Sequence, residues 1–216
     1  KNNLKINVFS PFQYRDFTYL WLGGVTAGIT MSMKILISTQ WLYDETGSSI
    51  IVGLLGIAQL IQMPVVIYGG VMADVSDRKK LMVYTQLVSF LLLLLLGILA
   101  QGERLMPWHV FCVIVLTGIT NMLGNSSRPA MLPRVIPKQY ITEAIGLSSA
   151  SFQVSSIISP LIFWKSFEYL GPAGAFYVAA SIAFVSVFAP LMINASGESK
   201  EIKKEKSINS VKEGYK

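Results

Sequence analysis

Long runs of apolar residues constrain this chain more than any other feature of its sequence. A helix needs roughly 20 apolar residues to cross a hydrocarbon core about 30 Å thick. Six stretches reach that length, approximately 17–43, 50–73, 81–100, 107–127, 141–164 and 173–193. Because lipid offers the backbone no hydrogen-bond partner, each stretch is predicted to be a helix. The sequence therefore predicts an all-α membrane protein with six transmembrane helices in residues 1–193.

The low content of charged residues supports the membrane class. Charged residues make up 14% of the chain and apolar residues 52%, whereas about a quarter of the residues of a soluble domain are charged. The chain has one cysteine, Cys112, so a disulfide within the chain is excluded. The lipid bilayer is the first partner that the sequence predicts.

The distribution of lysine and arginine predicts the orientation in the membrane. With the N-terminus placed in the cytoplasm, the inner segments hold all but three of the 18 lysines and arginines. Arg104 and Lys165 fall outside, and Lys34 lies within a span. This bias follows the positive-inside rule, so we expect a multi-pass protein of the inner (plasma) membrane with both termini cytoplasmic. The net charge of +6 then needs no nucleic-acid partner, and residues 194–216 are predicted to be a charged, mobile cytoplasmic tail.

A charged turn, "GGVMADVSDRKK" (69–80), separates the second and third predicted spans. Arg78 and its two neighbouring lysines can be explained as an anchor that keeps this connection in the cytoplasm. That explanation leaves out Asp74, because a carboxylate at a membrane boundary is unfavourable unless it is paired. Arg78 lies one helical turn after Asp74 and is its predicted partner.

The spacing of this turn resembles a known motif. Gly70, Asp74, Arg78 and Lys80 fit the pattern G-x-x-x-D-x-x-x-R-x-[RK], which is similar to motif A of the major facilitator superfamily. Asp77 stands where that motif usually has glycine, as in the branch with enterobactin exporters and macrolide efflux proteins. The resemblance implies a gate, in which Asp74 would meet the N-terminal end of a helix in the other half of the transporter.

Two further stretches, 41–56 and 130–153, are similar to the same branch. The resemblance implies a fold of twelve helices in two halves, each a 3+3 inverted repeat, with this chain as the N-terminal half. The C-terminal six-helix half is then the expected partner, either in the same native chain or in a second chain. Because the one carboxylate in the predicted spans, Glu143, is the third residue of the fifth span and lies away from its middle, a proton-coupling carboxylate is expected in that other half.

Polar residues inside the spans are the candidates for a substrate cavity near the membrane midplane. They are Thr30, Lys34, Gln59, Gln62, Asn121 and Asn125. Lys34 is the most unfavourable of them in lipid, and it either lines a water-filled cavity or extends its ammonium group to the surface. The amides either bind substrate or join neighbouring helices by hydrogen bonds.

These features predict a secondary active transporter, an exporter of small amphipathic molecules or drugs that works by alternating access, with proton coupling as an option. The alternatives are a receptor or scaffold that kept the fold, and an importer of an anionic solute. An enzyme is not expected, because the one histidine, His109, lies at the edge of a span. No cofactor or metal site is predicted.

Overall fold

The structure, a computed structural model, describes residues 8–60, 77–195 and 197, and the side chains of residues 123, 125 and 126 lie outside this description. It contains five helices: α1 (Arg15–Thr46), α2 (Ser49–Leu60), α3 (Arg78–Gln101), α4 (Pro107–Val135) and α5 (Ile141–Leu191). Short 3-10 turns cover Ser10–Gln13 and Lys138–Tyr140. The described part of the chain has no strand. Four of its helices are long and apolar enough to cross a membrane, which confirms an all-helical membrane protein.

Helix α5 is two helices joined by a sharp bend. Its 51 residues would extend about 76 Å if straight, more than twice the thickness of the hydrocarbon core. Gly171 breaks the helix with φ 68° and ψ −172°, a conformation open to glycine, and Pro172 follows it. Both arms, 141–170 and 172–191, contact α1, because Ser155 donates to the Val25 carbonyl and Ser186 to the Gly23 carbonyl. The arms therefore reverse direction at Gly171 and lie along the same helix.

The helix ends differ in two places from the predicted connections. The segment 165–170 was expected to lie in a loop, but it continues the first arm of α5 as far as the bend at Gly171. The fourth predicted span ends at residue 127, but α4 continues through Pro129 and Pro133 to Val135. It ends where Ile136 takes extended angles, φ −140° and ψ 153°, because Pro137 disfavours helical angles in the residue before it.

The count of six spans stays a prediction. The second predicted span, 50–73, is described only as far as Leu60, and the rest of it lies outside the described residues. The first, third and fourth predicted spans fall within α1, α3 and α4. The last two correspond to the two arms of α5.

The helix ends collect at two opposite edges of the bundle. At one of them, which we call the basal edge, α3 starts beside the end of α4, and α1 starts beside the end of α5. Arg78 Nη1 donates to the Ala130 carbonyl at 2.9 Å, and the Asp16 carboxylate accepts the Ala195 N–H at 2.9 Å. At the distal edge, the Tyr177 hydroxyl donates to Gln101 Oε1 at 2.6 Å. The described helices α3 and α4 and the two arms of α5 therefore run between the same two edges.

Small residues bring α1 close to both arms of α5. A Cβ atom added at Gly28 would lie 2.6 Å from Ser155 Oγ, and one added at Gly23 would lie 2.8 Å from Ala189 Cβ. Close approach of this kind is typical of helix packing in membranes. Around this contact lie two apolar cores, one near the middle of the bundle with Met33 and Phe176 and one near the basal edge with Phe17.

Candidate functional site

Lys34 is buried inside the bundle. Its residue surface is 4% exposed, and Nζ donates to Thr117 Oγ1 on α4 at 2.5 Å. Thr117 in turn donates to the Val113 carbonyl at 2.6 Å. The side chain therefore does not reach the surface, and the alternative that it extends to the membrane edge is wrong. An ammonium group has three donors, and among the described residues one of those of Lys34 has a partner.

A small cavity of about 120 Å³ adjoins the Lys34 side chain. Residues from three helices line it: Lys34 of α1, Gln59 of α2 and Asn121 of α4. Apolar side chains, among them Met31 and Ile114, complete the wall. Three of the predicted cavity residues, far apart in sequence, thus line one cavity.

A larger cavity of about 320 Å³ lies between α1, α4 and the first arm of α5. Asn121 lines it as well, so this residue belongs to both cavities. Arg128 is its cationic residue, and the guanidinium donates to the Leu20 carbonyl at 3.4 Å. In the predicted topology, Arg128 follows the fourth span at its cytoplasmic end. It was not among the candidates for the substrate cavity. Its position in the cavity depends on the packing of α1 against α4, for which the local sequence holds no signal.

The other candidates for the substrate cavity do not line either cavity in the described part of the chain. Thr30 is buried in α1, and its hydroxyl donates to the Thr26 carbonyl at 2.9 Å, so it is satisfied within its own helix. Gln62 lies outside the described residues. Asn125 belongs to α4 by its backbone, but its side chain lies outside the description.

The residues of the motif A turn are described only in part. Gly70 and Asp74 lie outside the described residues, so the predicted pairing of Asp74 with Arg78 stays a prediction. Asp77 is the N-cap of α3, and its carboxylate accepts the N–H groups of Lys79 at 3.0 Å and Lys80 at 3.4 Å. This cap explains an aspartate where the motif usually has glycine. The Lys80 side chain is exposed.

The start of the predicted tail is fixed to the bundle at the basal edge. The Asp16 carboxylate accepts the N–H groups of Asn194 at 3.1 Å and Ala195 at 2.9 Å, and Lys79 Nζ donates to the Ile193 carbonyl at 2.5 Å. The Arg78 N–H donates to the Gly197 carbonyl at 3.0 Å. We call this set of contacts the basal clasp. The prediction of a mobile tail from residue 194 is therefore wrong for its first residues, because the Asp16 carboxylate accepts their N–H groups.

His109 has a structural role at the start of α4. Its Nδ1 accepts the Met106 N–H at 3.0 Å where α4 begins. Among the described residues, no group of three or more histidine, cysteine, aspartate and glutamate side chains could hold a metal ion.

Comparison with known proteins agrees with the architecture. Residues 6–216 match the family model described as transmembrane secretion effector. Macrolide efflux protein A of Streptococcus pyogenes is 27% identical over 150 residues, 68% of this chain and 36% of that protein. Macrolide efflux protein A of Enterococcus faecalis is 28% identical over 103 residues, 46% of this chain and 32% of that protein.

A more distant similarity links the chain to the Na(+), Li(+), K(+)/H(+) antiporter of Planococcus maritimus, which is 23% identical over 153 residues, 69% of this chain and 34% of that protein. The chain spans about a third of the length of the curated relatives it matches. No solved structure matches.

Proposed function

Because the chain belongs to the transmembrane secretion effector family of the major facilitator superfamily, we propose that it forms the N-terminal half of an exporter of small amphipathic molecules. This family is one of transporters rather than of enzymes. In the proposed mechanism, the cavities of this half face a second half, and the substrate site between them opens to one side of the membrane at a time.

One observation carries this proposal: the buried Lys34 lines one cavity together with Gln59 and Asn121 from two other helices. A lysine near the middle of a membrane helix is unfavourable by about 2.5–3.5 kcal/mol on insertion scales. Lys34 has one hydrogen bond to protein in the described part of the chain, so its own contacts offset little of that free energy. A ligand that fills the cavity would supply the remaining partners.

The basal edge is proposed to face the cytoplasm. Arg78, Lys79 and the start of the tail meet at this edge. Arg104 follows the end of α3 at the distal edge. This arrangement supports both termini in the cytoplasm and the plasma membrane as the location.

The lining of the cavities favours an organic substrate over an alkali cation. One relative is a cation–proton antiporter, but Lys34 and Arg128 make both cavities positive, and no carboxylate lines either cavity among the described residues. Two relatives are macrolide efflux proteins, which supports efflux of bulky organic molecules. Proton coupling would then use a carboxylate in the second half, and Asp74 would act in the motif A gate.

Replacing Lys34 by methionine tests the proposal. In the full native protein, Lys34→Met is expected to slow efflux of a macrolide from loaded cells by about tenfold, because charge-assisted hydrogen bonds contribute roughly 1.5–3 kcal/mol. The matched control is Lys165→Met, which removes the same charge at an exposed position.

Efflux at the wild-type rate in both variants would contradict a substrate role for Lys34. A receptor or scaffold would show no efflux in the wild type either, and an importer of an anionic solute would accumulate its solute instead.

A further inference from the structure

In the described part of the chain, the Arg128 guanidinium has no carboxylate partner, and it lies in the wall of the larger cavity. The Arg128 guanidinium has five donors, and its hydrogen bond in the described part of the chain is to the Leu20 carbonyl at 3.4 Å, a weak contact. The guanidinium lies against α1, since Cβ atoms added at Gly23 and Gly24 would be 3.5 Å from Nη1. Among the described residues, most of its donors therefore have no acceptor, and an acceptor in the cavity can use them.

The other polar groups of this cavity do not neutralise the charge. Ser149 donates to the Ile145 carbonyl at 3.1 Å and Ser151 to the Ser148 carbonyl at 2.6 Å, so both hydroxyl protons are used within α5. Asn121 lies seven positions before Arg128 on α4 and also lines the cavity. Seven residues are about two helical turns, or roughly 10 Å. The cavity thus has a cationic end and, about two turns away, an amide.

The remaining walls are largely apolar. Trp21 lines the cavity, and its indole N–H donates to the Leu147 carbonyl at 2.8 Å, which fixes the ring in place. Met31 lies on the same helix, and Phe152 faces it from α5. A volume of about 320 Å³ is within the range of small-molecule sites. These walls suit the apolar body of a ligand whose charged group is at Arg128.

From this geometry we infer that the larger cavity binds the anionic group of an amphipathic substrate at Arg128. The group is a carboxylate, sulfonate or phosphate, and the apolar body lies along Trp21 and Phe152. The inference rests on the proposed function, since it assigns one class of substrate, anionic amphipathic molecules, to that transporter. A carboxylate from elsewhere in the native protein offers the same chemistry, and the experiment separates the two sources.

The test compares two fluorescent probes that differ in charge alone: dansyl-undecanoic acid and its neutral amide. Both are titrated against the full native protein in nanodiscs of neutral lipid. Arg128→Gln is expected to weaken binding of the acid by about tenfold or more and to leave binding of the amide unchanged. Arg104→Gln is the matched control, because it removes an exposed arginine, and it should leave both affinities unchanged.

Arg128→Lys keeps the charge but loses the planar fork of the guanidinium, so it should weaken binding of the acid by about threefold. If Arg128→Gln does not fold, the affinity of Arg128→Lys for the acid tests the inference. Unchanged affinity for the acid overturns the inference. Equal weakening of both probes, with a lower unfolding temperature, also overturns it, because that result assigns Arg128 to a carboxylate of the protein. The readout is binding, so a failure of transport would not change it.

Discussion

The basal edge and the interior of the bundle treat positive charge in opposite ways. At the edge, Arg78 and Lys79 donate to the carbonyls of Ala130 and Ile193, and both cations join one helix to another. In the interior, Lys34 and Arg128 each face a cavity and have a single bond in the described part of the chain. Buried polar groups are normally satisfied. The difference supports the proposal that the edge cations stabilise the fold and the interior cations bind a ligand.

Negative charge follows the same division. Asp16 accepts N–H groups beyond the end of α5, and Asp77 accepts N–H groups at the start of α3. Asp77 thus satisfies N–H groups that the start of a helix leaves open, and Asp16 holds the segment that follows α5. In the described helices, carboxylates stay near the ends and out of the middle. The interior of the described bundle is thus positive, while the basal edge carries both signs of charge.

The largest effect on stability is expected from the basal clasp. Asp16→Ala removes a carboxylate that holds the N–H groups of Asn194 and Ala195, and we expect it to lower the free energy of unfolding by about 2 kcal/mol. The measurement is thermal and denaturant unfolding in detergent. Glu45→Ala is the control, because Glu45 is an exposed carboxylate at the other end of α1. Equal stability of the two variants would contradict a structural role for the clasp.

A smaller effect on stability, or none, is expected from the interior. Lys34→Met should change the free energy of unfolding by less than about 0.5 kcal/mol or raise it, because an apolar side chain of similar length replaces a buried charge. Thr117 keeps its bond to the Val113 carbonyl, so the change leaves no unpaired hydroxyl. The same unfolding assay measures it. A loss as large as that of Asp16→Ala would make Lys34 a structural residue and remove the contrast between the two regions.

The sequence predicts the features that depend on local pattern. Apolar runs of sufficient length indicate membrane helices, and Lys34 stands out because it is the charge inside such a run. The Gly-Pro pair at residue 171 marks the bend of α5, and an aspartate before a helix is a common cap. The end of the fourth span was predicted too early, because a helix can continue through prolines such as Pro129 and Pro133 when neighbouring groups satisfy the backbone.

Features that depend on tertiary packing could not be predicted from one sequence. Asp16 and its partners at 194 and 195 are separated by nearly the whole chain, and nothing in their local sequence links them. The sequence around Arg128 is typical of a helix end. Its place at the cavity depends on the close packing of Gly23 and Gly24 of α1 against its guanidinium. The cavity residues could be predicted because they are polar residues inside apolar spans. The basal clasp could not, because polar residues at helix ends are common and do not stand out.

The central claim is that the cavities open to alternate sides of the membrane. Asn121 lines both of them, so Asn121→Cys in a Cys112→Ser background places a reporter between the two. The measurement is labelling of this cysteine by an impermeant maleimide, applied from each side of native membranes with and without a transported macrolide. We predict labelling from both sides, with the substrate changing the ratio of the two rates. Labelling from one side under every condition would contradict alternating access and assign the fold to a receptor or scaffold.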